Sequence, residues 1–154
     1  MILIRSANFP KDASAVCSIF REYVSSATAN LDFQDYEVEF ATLPGKYAAP
    51  DGRVLLACDN DLVLGCAALR RVNGSSCEMK RVYVRPAARG TGLGRRLVER
   101  ILREAKIAGY SRIFLDVLLE FTAAQQLYAS LGFVPAEPVS FNPVPGTKFL
   151  ALDL

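Results

Sequence analysis

Hydrophobic residues recur at helical spacing in several segments of the chain. An amphipathic helix is expected between Asp12 and Ser25, and a shorter helical stretch near residues 34–43. The clearest helical pattern follows Gly92 and consists of Leu93, Leu97, Val98, Ile101, Leu102, Ala105 and Ala108. A further helix is expected over residues 123–131, with Thr122 as its N-terminal cap.

Short apolar runs bounded by turn residues predict strands between these helices. Residues 53–58, 62–69 and 77–84 follow one another in meander spacing, which favours antiparallel pairing. Further strands are expected over residues 2–6, 113–118 and 147–153. The element order is therefore strand, two helices, three strands, helix, strand, helix, strand, and it predicts a mixed α+β sheet with helices packed on it.

The length of 154 residues suits one domain over residues 1–154, with a single sizeable core. The longest uncharged apolar stretch, residues 62–69, falls far short of the roughly 18 residues that a membrane span needs. The apolar run at the start of the chain is too short for a signal peptide, because Arg5 already interrupts it. A cytoplasmic protein without membrane association is expected.

The absence of histidine restricts the possible chemistry. It excludes Ser-His-Asp and Cys-His catalysis and removes the commonest metal ligand, so no metal site is expected. The four cysteines have no C-x-x-C spacing and are expected to be buried free thiols. Chemistry must then come from carboxylates, tyrosines, backbone groups or a bound cofactor.

Charge is unevenly distributed along the chain. Residues 80–106 carry nine basic and two acidic side chains, a net +7, so the total of +2 leaves −5 for the remainder. Such a cluster suits a polyanion, either nucleic acid or a phosphorylated cofactor. A solvated helix face would account for the later basic residues but not for those in the loop before them.

That loop joins a strand to a helix and is rich in glycine. Gly90, Gly92 and Gly94 let successive backbone N–H groups turn toward an anion, and the helix start adds unpaired N–H groups. Arg89 and Arg95 place full positive charge at its rim. Neither a dinucleotide fingerprint nor a P-loop fits the spacing. The loop is therefore predicted to bind a pyrophosphate.

Two motifs resemble those of the GNAT N-acetyltransferases. Residues 89–94 match Arg/Gln-x-x-Gly-x-Gly/Ala in full, and Ala124, Leu127-Tyr128 and Gly132-Phe133 match the downstream family motif. The chain is most similar to a bacterial subgroup with Cys-Glu-Met-Lys-Arg, here residues 77–81, and Asn-Pro-Val-Pro-Gly, here residues 142–146. The resemblance implies the acyl-CoA N-acyltransferase fold, with a mostly antiparallel sheet splayed after its fourth strand and helices on both faces.

The resemblance also implies that acetyl-CoA is the acyl donor. Backbone groups of Val82 and Val84 would pair with the pantetheine arm. The residues implied to contact the cofactor are Val82, Tyr83, Val84, Arg89, Gly90, Thr91, Gly92, Leu93, Gly94, Arg95 and Ala124. Phe121 stands where many family members have a cofactor-contacting asparagine, so that contact is expected to be absent.

Direct attack of an amine on the thioester, in a ternary complex, needs an acid and a base. The resemblance implies that Tyr128 is the general acid, although the helix alone would also fit a core tyrosine. Glu78 is the predicted base, directly or through water, and is expected on the strand face shared by Val82 and Val84. The alternative is a solvent-facing ion pair with Lys80 or Arg81.

Two sets of residues bear on the identity of the acceptor. The acidic residues Asp32, Asp35, Glu37 and Glu39 could attract a cationic amine or could form a solvated face. Subgroup resemblance alone implies that Phe33, Gln34 and Asn142 line the substrate pocket, which would take a small-molecule or peptide amine.

Two other functions are compatible with the sequence, and the chain is expected to be a monomer or a homodimer. One is a non-catalytic acyl-CoA-binding module. The other is nucleic-acid binding through residues 80–106, which the scarcity of interleaved aromatic residues disfavours.

Overall fold

The computed structural model describes all 154 residues. Its strands are β1 (Leu3–Ser6), β2 (Arg53–Asp59), β3 (Leu62–Arg71), β4 (Ser76–Val84), β5 (Arg112–Val117), β6 (Val134–Pro135) and β7 (Lys148–Asp153). Its α-helices are α1 (Ala13–Ser26), α2 (Tyr36–Ala41), α3 (Leu93–Ile107) and α4 (Thr122–Ser130).

The seven strands form one sheet in the order β1-β2-β3-β4-β5-β7-β6. Strands β1 to β4 pair antiparallel, as the meander spacing predicted, and so do β5, β7 and β6. Only β4 and β5 pair in parallel, because α3 carries the chain across one face of the sheet between them. The expected mostly antiparallel α+β fold is confirmed.

The sheet opens between β4 and β5. The two strands pair only where they begin, at Ser76–Glu78 against Arg112–Phe114, whereas β5 stays paired with β7 along its whole length. The edge of β4 that faces β5 is therefore unpaired beyond Glu78. A bulge contributes to the divergence, since the register with β3 shifts near Arg81, whose φ of 60° lies in the left-handed region.

Helices cover both faces of the sheet, as expected. On one face, α3 buries Leu97, Val98 and Ile101 in a core cluster that also contains Tyr128 of α4. On the other, α1 buries Val16, Ile19 and Phe20, and Phe40 of α2 joins the same cluster. The sheet therefore separates two hydrophobic cores, and the gap between β4 and β5 connects the two faces of the sheet.

Several local predictions need correction. Thr122 is the first residue of α4 and caps nothing, because Phe121 occupies the cap position without a side-chain hydrogen bond. The stretch near residues 34–43 splits into a 3-10 turn and α2, because Asp35 adopts a left-handed conformation between them. The two-residue strand β6 was not predicted. It is too short to show any alternation in sequence.

Three of the four free cysteines are buried, and Cys17 is half-buried. Burial raises the pKa of the Cys66 thiol and raises that of Cys77 to about 12. None of the helices is both long and apolar enough to cross a membrane.

Candidate active site

A cavity of about 520 Å³ occupies the gap between β4 and β5. Val82 and Val84 line it from β4, Tyr23 from α1, and Leu127 and Tyr128 from α4. Helix α1 on one face of the sheet and helix α4 on the other face both contribute to its walls. The cavity therefore passes through the sheet, a consequence of the missing pairing between the two strands.

The two ends of the cavity differ in chemistry because side chains alternate along the strands. Leu115 and Val117 of β5 belong to the core cluster under α3 and α4, so Asp116 points to the opposite face. Lys80 follows Met79, which packs under α3, and also lies on the opposite face. On the α3 side the two strands thus present apolar side chains to the cavity, and on the α1 side they present charged ones.

The glycine-rich loop lies on the α3 side of the sheet, directly before that helix. None of the backbone N–H groups from Gly90 to Arg95 donates a hydrogen bond to a protein group. The first turn of any helix has a few backbone N–H groups without a partner, and in this chain the loop before α3 adds further ones. Gly90 and Gly92 both have φ of 79°, which a side-chain-bearing residue adopts only at a cost. This loop can bind an anion through its backbone.

Side chains around the loop hold its shape. Arg89 donates through Nε to the carbonyl of Val84 at 3.1 Å, and its guanidinium lies over the Tyr83 ring. The Thr91 hydroxyl donates to the carbonyl of Ala88, and Arg95 donates to Ser130. These contacts leave both arginines at the loop, with positive charge beside the free amides.

The other residues implied to contact a cofactor fall into two groups. Ala124 and Gly94 line the cavity together with Val82 and Val84. The side chain of Leu93 is buried in the core, so only its backbone amide is available. Tyr83 lines the cavity too, but its hydroxyl donates to Glu22 of α1, on the far side of the sheet.

Tyr128 lies against the cavity with 6% of its surface exposed. Its ring packs on Phe133, and its hydroxyl makes no hydrogen bond to a protein group. Burial raises the pKa of Tyr128, and the neighbouring Tyr23 and Asp116 raise it further. The hydroxyl therefore stays protonated at neutral pH and has its donor available to a molecule in the cavity.

Glu78 is not among the residues that line the cavity. Its carboxylate is 2% exposed and accepts hydrogen bonds from Arg70 Nε and Nη2, at 3.1 and 2.9 Å, and from Ser140 Oγ at 2.8 Å. The alternative of a solvent-facing partner for Lys80 or Arg81 is wrong, because the partner is Arg70 and the pair is buried.

The predicted common face of Glu78, Val82 and Val84 is also wrong. Met79 packs in the cluster under α3, and so do Val82 and Val84. Odd and even positions exchange faces because the bulge at Arg81 inserts one extra residue. Glu78 consequently points to the face that α1 covers.

Asp116 and Lys80 line the cavity and were not selected from the sequence. Asp116 Oδ2 accepts from Asn142 Nδ2 at 3.0 Å, and Oδ1 lies 3.9 Å from Lys80 Nζ. Burial lowers the pKa of Lys80, and the Asp116 carboxylate opposes that shift. The one sequence signal for this pair was an isolated carboxylate within the apolar run of residues 113–118.

The residues predicted to line the acceptor pocket are held by contacts outside the cavity lining. Gln34 Oε1 accepts from Arg81 Nη1 at 2.6 Å, and Phe33 stacks edge-on against Phe141. Asn142 reaches the site only through its hydrogen bond to Asp116. None of the three predicted residues is part of the cavity lining itself.

Two of the acidic side chains near α2 are held in ion pairs. Glu39 accepts from Arg81 and from the Tyr47 hydroxyl, and Glu37 pairs with Arg21. These two carboxylates are neutralised by arginine and do not form an open acidic wall.

Ion pairs also reduce the basic character of residues 80–106. Arg85 pairs with Glu22, Arg100 with Glu104, and Arg81 with Glu39. The positive charge that remains beside free backbone donors is that of Arg89 and Arg95 at the loop. This arrangement fits a compact anion better than an extended nucleic acid.

Comparison with known proteins finds a matching family model, sequence relatives and solved structures of the same fold. The family model described as "Acetyltransferase (GNAT) family" matches residues 16–133. An uncharacterized N-acetyltransferase of Schizosaccharomyces pombe is 37% identical over 99% of this chain and 95% of its own length. An acetyltransferase from Streptococcus agalactiae shares the fold, with a TM-score of 0.80 at 22% identity over 99% and 98% of the two chains. A Salmonella typhimurium protein, solved with its cofactor acetyl-CoA, has a TM-score of 0.69 at 25% identity over 99% and 93%.

Proposed function

Because the chain belongs to the acetyltransferase (GNAT) family, we propose that it transfers an acetyl group from acetyl-CoA to an amine. The observation that carries the proposal is the row of unpartnered amides from Gly90 to Arg95 at the start of α3. A row of inward-turned N–H groups with a helix N-terminus and two arginines suits a diphosphate. The Salmonella protein holds acetyl-CoA, which supports the same donor here.

The remaining contacts follow the gap in the sheet. The unpaired edge of β4 at Val82 and Val84 offers backbone groups to the pantetheine arm, in the manner of an added strand. Ala124 and Gly94 leave space for it between β4 and α4. Phe121 fills the place of the asparagine found in many family members and packs near Tyr23.

Acetyl-CoA supplies an acetyl group that is already activated as a thioester. The amine nitrogen forms a bond to the carbonyl carbon as the carbon–sulfur bond breaks. The amine loses one proton, and the departing sulfur gains one. A backbone N–H on β4 near Val82 polarises the carbonyl, and the Tyr128 hydroxyl donates to the sulfur. No covalent enzyme intermediate is needed.

The proton from the amine needs an acceptor within reach of the cavity. Glu78, which the sequence predicted for this role, is enclosed by Arg70 and Ser140. Asp116 lines the cavity, and its carboxylate is close enough to Tyr128 to raise the pKa of that hydroxyl. We assign the proton acceptor to Asp116, acting directly or through water.

The competing functions are weighed by the same geometry. A non-catalytic acyl-CoA-binding module would have no use for a buried tyrosine hydroxyl and a carboxylate that face the same cavity. We propose a small-molecule or peptide amine as the acceptor. The cytoplasmic location and the choice between monomer and homodimer stay sequence-based predictions.

The proposal predicts that Gly92→Val weakens binding of coenzyme A, because valine resists the left-handed backbone that turns the loop amides inward. We expect the dissociation constant, measured by calorimetry, to rise at least about tenfold, the loss of roughly 1.4 kcal/mol. Gly74→Val is the matched control, since Gly74 lies in the β3–β4 hairpin with open space around it and an ordinary φ.

Thiol release from acetyl-CoA, with and without a panel of amines, tests the reaction itself. Amine-dependent release by the wild-type protein is the expected result. Coenzyme A that fails to bind the wild-type protein, or binds Gly92→Val equally well, would remove the loop from the proposal.

A further inference from the structure

Lys80 is the least satisfied charged side chain near the cavity. It is 8% exposed and lines the cavity, yet its ammonium donates no hydrogen bond to any protein group. Its nearest carboxylate oxygen, Asp116 Oδ1, is 3.9 Å away, beyond hydrogen-bond distance. A buried ammonium normally has its donors paired, because leaving them unpaired is costly. The donors of Lys80 are thus available to a molecule in the cavity.

The charges around Lys80 otherwise cancel. Arg81 is paired with Glu39, and Arg70 is paired with Glu78. Elsewhere in the lining, Arg89 donates to the Val84 carbonyl and Glu120 accepts hydrogen bonds from Thr28. Lys80 and Asp116 are the cation and anion that face each other across the gap. A ligand with a single charge would leave one of them uncompensated. A ligand with one positive and one negative group would satisfy both.

We propose that the acceptor carries a carboxylate next to its amine, as a free α-amino acid does, and that Lys80 binds the carboxylate while Asp116 receives the amine. This inference rests on the proposed acetyl transfer and names its substrate class. The distance of 3.9 Å between Lys80 Nζ and Asp116 Oδ1 is compatible with this binding mode, because the two groups are neighbours but are not hydrogen-bonded to each other.

The orientation follows from the neighbours of Asp116. Asp116 and Tyr128, the proposed donor to the sulfur, line the same cavity, so an amine held at Asp116 faces the point of acetyl transfer. Asn142 fixes the second oxygen of Asp116 by a hydrogen bond at 3.0 Å. Lys80 is on the neighbouring strand, across the gap from Asp116, where it would bind the carboxylate of the substrate.

The test compares free L-amino acids, with small, aliphatic, aromatic and basic side chains, against their carboxamides as acceptors. Each pair differs only in the carboxylate. We expect the wild-type protein to favour the best amino acid over its carboxamide by about 10- to 100-fold in kcat/KM, the range of a charge-assisted hydrogen bond. In Lys80→Met that preference should disappear, because the carboxylate of the amino acid loses its partner.

Lys148→Met is the control, because Lys148 is exposed on β7 and its side chain is not part of the cavity lining. Thermal unfolding of both variants shows whether they are folded. A wild-type protein that prefers carboxamides, or a Lys80→Met variant that keeps the amino-acid preference, overturns the inference and leaves acetyl transfer standing. Absence of thiol release with every acceptor overturns the proposed function instead.

Discussion

The hydroxyl of Tyr128 is the group whose removal tests the proposed chemistry most directly. Tyr128→Phe should lower kcat by about 10²- to 10⁴-fold, because it deletes the proton donor, while the KM for acetyl-CoA changes little. Steady-state thiol release over a range of acetyl-CoA concentrations measures both quantities.

Tyr110→Phe is the matched control for that variant. Its hydroxyl is also buried, but it donates to the carbonyl of Asp51, far along the sheet from the cavity. Tyr110→Phe should keep its kcat and lose about 1 kcal/mol of unfolding free energy. An equal kcat for wild type and Tyr128→Phe would remove Tyr128 from the mechanism.

Glu78→Gln distinguishes the two carboxylates considered as base. A base role would lower kcat/KM chiefly at low pH, where deprotonating the amine is hardest. Since Glu78 is buried against Arg70, we expect instead a loss of stability of about 3 kcal/mol or more and a constant ratio to wild type across pH.

Asp116→Asn should show the pH-dependent loss that Glu78→Gln lacks. The kcat/KM of both variants, measured from pH 6 to pH 9 alongside wild type, gives the two ratios. If the kcat/KM of Glu78→Gln relative to wild type falls toward low pH, and that of Asp116→Asn is constant, Glu78 rather than Asp116 is the base.

Residue identities at the site were only partly predictable. Tyr128, Val82 and the loop glycines come from motifs with fixed spacing, and the structure places Tyr128 and Val82 in the cavity wall. Asp116 and Lys80 come from strands that are neighbours only at their beginnings. Nothing in the order of residues along the chain signals that their side chains meet.

At the scale of elements, the bulge in β4 decides which residues share a face. Strict alternation put Glu78 with Val82 and Val84, and one inserted residue at Arg81 reverses that assignment. Arg81 gives no sequence sign of a bulge, because glycine is the usual residue at positive φ. The guanidinium compensates by binding Glu39 and Gln34.

The junction of β1 and α1 predicts a pH-dependent stability. Asp12 accepts from Arg5 at 2.7 and 3.0 Å and from the Asn8 amide, and these bonds, with Arg5 foremost, lower its pKa from 3.8 to about 2. Because the folded-state pKa is depressed, the stabilisation is complete above about pH 4 and is lost as the pH falls toward 2.

Asp12→Asn should therefore lower the unfolding free energy by about 2 kcal/mol at pH 7. The difference from wild type should shrink between pH 4 and pH 2. Urea unfolding at several pH values measures it. Asp59→Asn, at a half-exposed position, should change little. A difference between wild type and Asp12→Asn that persists at pH 2 would contradict this account.

At the scale of the whole molecule, the sequence was sufficient for the fold because each long element carries its own pattern. The helical repeat of α3 and the hairpins joining β2, β3 and β4 were read correctly to within a few residues. The divergence of β4 from β5 has no such pattern, because it arises from pairing partners distant in the chain. Only the resemblance to the GNAT family predicted that the sheet opens after its fourth strand.

In the proposed reaction, that divergence would also give the two substrates separate routes to the cavity. The glycine-rich loop, the proposed site of the cofactor diphosphate, is on the side of α3, whereas Lys80 and Asp116 lie on the side of α1. An acceptor that arrives from the α1 side would not obstruct the departure of spent coenzyme on the other. Turnover in such a molecule would not require the product and the coenzyme to leave in a fixed sequence.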